Sequence, residues 1–222
     1  MKPSSIFRFL ANRMRSASAR GKSTVKSAVF YNTIGHVNSK NDDASHWLQS
    51  RESDRRFIDA IYRDIVTMCD IDERARVADY GCGTGVLVYN LKTEFPGISI
   101  TGIDFSENKI ARCREFYEFD PECFRQGSIF DAAEVTHDVI VATEVLEHLL
   151  DPKAAVSNLL SQLEVGGRLF LTVPDGRTDT FHGHIHFWSP ESWSLFIHYA
   201  VDSRGTIKLG KLAGKNFSLI TV

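Results

Sequence analysis

The sequence predicts an α/β domain: a mostly parallel seven-stranded sheet with helices on both faces and a reversed final strand. Three observations carry this. From Arg74 onward, short apolar runs alternate with segments of helical periodicity, the pattern of parallel strands joined by crossover helices. The run "DVIVAT", Asp138 to Thr143, is apolar without alternation, as a strand buried on both faces must be. The last two runs, "GTIKLGKLAG" and "NFSLITV", are separated by too short a link for a crossover and should pair antiparallel.

The elements follow in order. Residues 1–40 contain eight Lys/Arg and no Asp or Glu, whereas the remainder holds 18 Lys/Arg against 28 Asp/Glu, a balance of about −10. A basic tail therefore precedes an acidic body. Its Ser- and Arg-rich start, "MKPSSIFRFLANRMRSASARGKSTVKS", suits a basic amphipathic helix around Ile6 to Met14. That composition fits a peripheral contact with anionic lipid or RNA, a mitochondrial transit peptide, or a solvated extension. Residues 31–53 are polar and are assigned to a lid, which sets a basic extension and lid at 1–52 and the main domain at 53–222. Phe57, Ile61, Ile65 and Met68 then recur at helical spacing, predicting a helix from about Ser53 to Cys69. "RVADYG" is a first strand, and a helix runs from about Thr84 to Phe95, where "PG" stops it. "ISITGID" is the second strand and Ser106 opens a second crossover helix. "CFRQGS" is a weak third strand and "DVIVAT" the fourth. A helical region is expected from "VLEHLLDP" through "KAAVSNLLSQL", and "GRLFLTVP" is the fifth strand before the antiparallel pair.

The totals exclude other classes. A hydrophobic content of 43% is that of a globular chain, and no apolar run approaches the roughly 18 residues of a membrane span. Cys69, Cys82, Cys113 and Cys123 form no CxxC pair, which argues against a disulfide scaffold or thiolate zinc site and suits a reducing compartment. The expected location is cytoplasmic, with a mitochondrial alternative if the basic start is a transit peptide.

The chemistry begins at "VADYGCGTGVLVYN". Gly81, Gly83 and Gly85 follow a strand end, where an open α/β sheet binds ligands. A dinucleotide loop, G-x-G-x-x-G, would need glycine where Val86 stands. Asp79 with G-x-G-x-G instead resembles the first motif of the class I S-adenosylmethionine (SAM) methyltransferases, and the resemblance extends over about residues 50–222. It implies a Rossmann-like fold and a loop around the amino-acid end of SAM. It implies ribose binding by Asp104, which lies 19 residues beyond Gly85, with Phe105 alongside. It places adenine contacts in "RQGSIFD", where Ser128 replaces the usual acid and Ile129 packs on the ring, and puts Thr143 near the cofactor.

"TEVLEHLLDP" follows the fourth strand. On a helical turn Glu144, Glu147 and His148 would share a face, a set that suits Mg²⁺, Mn²⁺ or Zn²⁺. His182, His184 and His186 alternate in "TDTFHGHIHFW", and His184, then His182, is the favoured fourth ligand. The ExxEH pattern is similar to that of the ubiquinone-type O-methyltransferases and of the enzymes that methylate the 2′-hydroxyl of small-RNA 3′ ends. In both, the resemblance implies a metal beside the acceptor. The alternative is metal-free, with His148 as a base or pocket residue beside Glu147. Trp188 and Trp193 read as packing rather than substrate stacking.

The resulting expectation is an enzyme that transfers methyl from SAM to a hydroxyl of a small molecule. RNA 2′-O-methylation is the second reading, disfavoured by the acidic body because phosphate binding wants a basic groove. A SAM-binding scaffold without activity is the third. The sequence singles out no acceptor, leaves N- or C-methylation open, and specifies no oligomeric state.

Overall fold

The computed structural model describes residues 44–132 and 135–222. The basic tail and residues 31–43 of the expected lid lie outside them. The chain forms α1 (Ala44–Cys69), β1 (Arg76–Tyr80), α2 (Val86–Glu94), β2 (Ser99–Asp104), α3 (Glu107–Phe116), β3 (Phe124–Gln126), β4 (His137–Thr143), α4 (Pro152–Ser161), β5 (Leu163–Val173), α5 (Pro190–Val201), β6 (Thr206–Leu212) and β7 (Lys215–Thr221). The sheet order is β3-β2-β1-β4-β5-β7-β6. Every pairing among β1 to β5 is parallel, and β7 runs antiparallel to both β5 and β6. β1 and β4 lie side by side with β2 and β5 beyond them, so the strand order reverses between β1 and β4 and a crevice opens at their carboxyl ends.

Alternate residues of the central strands feed two cores. Val77, Val139 and Val141 join Trp47, Ile61, Ile65, Leu87 and Leu91 on one face. Ala78, Ile140 and Ala142 join Leu146, Leu159, Trp193 and Ile197 on the other. Both faces of the sheet are thus covered, as the unalternated apolar strands require.

The helix starts follow local chemistry. The Ser106 side chain accepts from Lys109 N at α3, and the Asp151 side chain accepts from Ala154 N at α4, where Pro152 takes the first turn. At α5 the Ser189 hydroxyl accepts from Ser192 N, with Pro190 next in sequence.

Three expectations are corrected. Helix α1 begins at Ala44, about nine residues before its expected start, and Trp47 is buried in the first core. The region after β4 is not one helix: Glu144 has φ 57°, Leu146–His148 make a single 3₁₀ turn, and α4 starts only at its Asp151–Pro152 cap. Helix α5 was not expected at all. Among the described residues, no helix is long and apolar enough to cross a membrane.

Candidate active site

Gly81, Gly83 and Gly85 all adopt positive φ, at 74°, 55° and 76°, which a side chain resists. The backbone folds tightly onto β2: Gly81 N and Cys82 N both donate to the Ile103 carbonyl, at 2.7 and 3.1 Å. At two positions the space is taken by the protein itself. A Cβ on Gly81 would lie 2.4 Å from Val145 Cγ2, and one on Gly85 would meet Phe124 and Tyr117 at 2.7 and 2.9 Å. Gly85 therefore faces an aromatic core, not a ligand. Gly83 is the open one, with Asp54 Oδ2 3.3 Å from the Cβ position.

Asp104 ends β2 as predicted. Its Oδ2 accepts from Gly83 N at 3.0 Å and its Oδ1 from Ser106 N at 2.8 Å. Each carboxylate oxygen keeps a further lone pair, so Asp104 can order the loop and still receive ligand hydroxyls. It borders a narrow cleft lined by Tyr80, Gly81, Phe105, Ser128, Ile129 and Val145 among others. The expected cofactor residues Gly81, Asp104, Phe105, Ser128 and Ile129 thus meet in one place. Ser128 is tied down locally: its amide donates to Asp131 Oδ2 at 2.7 Å and its hydroxyl accepts from Phe130 N at 3.2 Å. Thr143 does not line the cleft; it is half-buried opposite Thr172 in β5.

Asp79 is only 3% exposed. Burial first, then the charges of Asp104 and Asp54, push its carboxyl from 3.8 up to about 7. Asp54, from α1, is a site residue that sequence reasoning missed. Its Oδ2 accepts a 2.6 Å bond from the Thr84 hydroxyl.

The acid–histidine cluster differs from its expected form. Glu147, His148 and His184 each offer a ligand atom within 4.8 Å of the others. Glu144 leaves the set. Its left-handed backbone turns it aside, where its carboxylate accepts from Lys215 Nζ and, at 3.1 Å, from the Thr172 hydroxyl. His182 and His186 also leave. The chain turns at 181–184, with His184 N bonded to the Phe181 carbonyl, so the expected alternation of an extended segment is lost. His182 is exposed, and His186 Nε2 donates to the Leu149 carbonyl at 2.8 Å while its ring stacks on Trp188. Trp193 is buried, in keeping with packing.

Glu147 is completely buried, yet neither carboxylate oxygen has a hydrogen-bond partner among the described residues. Burial above all, and the charge of Glu144, push its carboxyl well above the usual range. Its backbone is firmly held, since the Glu147 carbonyl accepts from Ile185 N and His186 N at 2.9 and 3.2 Å. The imidazoles are oriented from behind. His148 Nδ1 lies 3.2 Å from the Gly183 carbonyl, which can only accept, so that nitrogen carries the proton. His184 Nδ1 lies 2.5 Å from Asp179 Oδ2, and its Nε2 faces Glu147 Oε1 at 3.8 Å. Burial draws the His148 pKa down to about 4, so the ring is neutral near pH 7. Two unsatisfied carboxylate oxygens, with two imidazoles whose far nitrogens are fixed by oxygen acceptors, form a donor set that suits a divalent cation.

A second, open pocket of about 470 Å³ lies between the loop after β5 and the β6–β7 turn. Asp175, Thr178, Asp179, Thr180, His182 and Lys215 supply its polar walls. Asp175 is neutralised by Arg177 and Lys211.

The model of a family described as "Methyltransferase domain" matches residues 51–208. The ubiquinone biosynthesis O-methyltransferase of Idiomarina loihiensis is 32% identical over 102 residues, which cover 44% of this chain and 41% of that protein. The trans-aconitate 2-methyltransferase of Rhodopseudomonas palustris is 30% identical over 121 residues, 54% of this chain and 46% of that protein. The chain thus matches under half the length of either relative. In fold it is similar to the plantazolicin methyltransferase BpumL solved with SAH, with a TM-score of 0.67, 13% identity, and coverage of 96% of this chain and 99% of that one.

Proposed function

Because the chain belongs to the class I SAM-dependent methyltransferase family, we propose that it transfers the methyl group of SAM to a hydroxyl of a small molecule. One observation carries the reading. Val145 and Leu149 of the cofactor cleft flank the very turn, Leu146–His148, that presents Glu147 and His148. The cleft and the acid–histidine cluster therefore share a wall, as donor and acceptor sites must for in-line transfer.

SAM, when bound, supplies an electrophilic methyl on a sulfonium. In this reading Asp104 receives the ribose hydroxyls, and Ile129 and Phe105 flank the adenine. Gly81, fixed against Ile103 and Val145, keeps the loop open toward the amino-acid end. The 470 Å³ pocket, which shares Asp179 with the His184 hydrogen bond and Lys215 with Glu144, admits the acceptor. Its polar walls favour a hydrogen-bonding acceptor. Neutral His148 is able to take the hydroxyl proton.

The residues present also fit a divalent cation, which would lower the acceptor's pKa and fix its oxygen. Glu147, His148 and His184 would hold it. Glu144 would not, since Lys215 occupies it. The support is the pair of orphaned Glu147 oxygens and the oriented imidazoles.

The test is transfer of labelled methyl from SAM into a pool of hydroxylated small molecules, with and without EDTA, alongside elemental analysis of the protein. Label appearing in a hydroxyl of one acceptor is the expected result. Label in RNA alone, or in nothing while SAM still binds, would overturn the small-molecule reading. Full turnover by metal-free protein in EDTA would remove the cation and leave His148 as the base.

A further inference from the structure

Helix α1 precedes the sheet, yet it places one carboxylate directly on the glycine loop. Asp54 Oδ2 accepts a 2.6 Å hydrogen bond from Thr84 Oγ1 and lies 3.3 Å from where a Cβ on Gly83 would be. No side chain stands between Asp54 and the open glycine. Asp54 is half-buried, at the rim rather than beneath the loop. The arginines flanking it on α1 are engaged elsewhere. Arg51 donates to the Tyr117 hydroxyl and lies over the Phe116 ring, and Arg55 pairs with Glu52. Behind the loop, Asp79 is buried close enough to feel the charges of both Asp54 and Asp104. Two strand-end carboxylates, Asp79 and Asp104, and one helical carboxylate, Asp54, therefore act on the same loop. Asp104 is taken up by the Gly83 and Ser106 amides and suits hydroxyls. Asp54 stands at the rim beside Gly83, and Asp79 lies buried within electrostatic reach of it.

We propose that Asp54 is the rim carboxylate that binds the α-ammonium of SAM and so selects ligands that carry the amino-acid end. This rests on the cofactor reading of the cleft. An ammonium there gains a charge-assisted hydrogen bond from Asp54 and offsets the repulsion between Asp54 and the buried Asp79. Thr84 then has a definite task. By donating to Oδ2 it fixes the carboxylate plane and leaves Oδ1 to the ligand. Asp54 acts by binding and takes no part in methyl transfer.

Calorimetry of three ligands separates this from a structural role. SAM and S-adenosylhomocysteine carry the α-ammonium; 5′-methylthioadenosine shares the nucleoside and sulfur but lacks the amino-acid end. Asp54→Asn, which keeps shape and can still accept from Thr84, should weaken the first two about 10- to 100-fold. It should leave methylthioadenosine within about twofold, since nothing on that ligand reaches Asp54. Thr84→Val cuts the anchoring bond but keeps the carboxylate, and should lower the ratio of SAM to methylthioadenosine affinity by less than Asp54→Asn does. Equal weakening of all three ligands by Asp54→Asn would show that Asp54 only anchors the loop. Unchanged SAM affinity in Asp54→Asn would overturn the proposal outright. Failure of the wild-type protein to bind any of the three would instead sink the cofactor reading, and the inference with it.

Discussion

Asp79 ties the stability of the unliganded protein to pH, and the size of the effect follows from its surroundings. The carboxyl is buried at the end of β1. It faces Asp54 from α1 and Asp104 from β2, with Cys82 beside it in the loop, and Cys113 and Lys109 on α3 nearby. Its pKa rises from 3.8 to about 7 in the folded state. A carboxyl raised in this way contributes stability that is fully present below its ordinary pKa and is lost as pH rises toward the folded value. Three units at about 1.36 kcal/mol each make the whole effect roughly 4 kcal/mol. Roughly 3 kcal/mol of it falls between about pH 5 and pH 8. Asp79→Asn keeps the shape and removes the titration. In thermal melts without ligand, wild type should therefore lose roughly 5–10 °C relative to the variant across that interval, at about 2–4 °C per kcal/mol. Groups out of reach of Asp79 titrate equally in both proteins, so the difference isolates Asp79 and its coupling to Asp54 and Asp104. Saturating SAM should shrink the gap, because its positive charge stabilises the ionised carboxylate. Wild-type and variant curves that stay parallel from about pH 5 to pH 8 would refute the reasoning, because a buried carboxyl flanked by two others cannot ionise without cost.

Further expectations concern single positions. Gly81→Ala places a Cβ 2.4 Å from Val145 Cγ2 at a φ of 74°, and should cost about 2–4 kcal/mol by denaturant titration. Adding Val145→Ala should recover only the steric part. Asp151→Ala removes the bond to Ala154 N that starts α4 and should cost about 0.5–2 kcal/mol, with Asp151→Asn nearly neutral. Lys215→Met strips Glu144 of its partner and should cost about 1–3 kcal/mol; a double-mutant cycle with Glu144→Gln that shows no coupling would mean the pair is unimportant.

The fold was legible wherever pattern and topology agreed. All seven strands lie where the apolar runs placed them, and the reversal of β7 follows from a link too short to cross the sheet. Two helices were misjudged for opposite reasons. Residues 44–52 read as polar, and Trp47, buried ahead of the periodic run, carries no periodic signal by itself. Helix α5 did announce itself: Ser189 and Pro190 are a helix start, and Trp193, Ile197 and Val201 recur every fourth residue.

The site divides along a physical line. Asp104 and the glycines could be read because their roles belong to the backbone: a left-handed turn at a strand end and an acid closing the next strand. The acid–histidine cluster could be read only in composition. Its geometry hangs on Glu144, where a non-glycine residue takes φ 57°, and nothing local in "TEVLEHL" marks that residue as left-handed. What holds it there is distant. Lys215 lies 71 positions away and meets that carboxylate at the rim of the second pocket, with its ammonium also over the Phe57 ring. A strained residue kept by a remote ion pair persists only if the surrounding structure over-determines it, and such residues gather at working sites. The consequence is a division of labour among acids that sequence spacing had pooled. Glu144 braces the end of β4 against β7, and Glu147, left with two unsatisfied oxygens, is the one free to meet a charge.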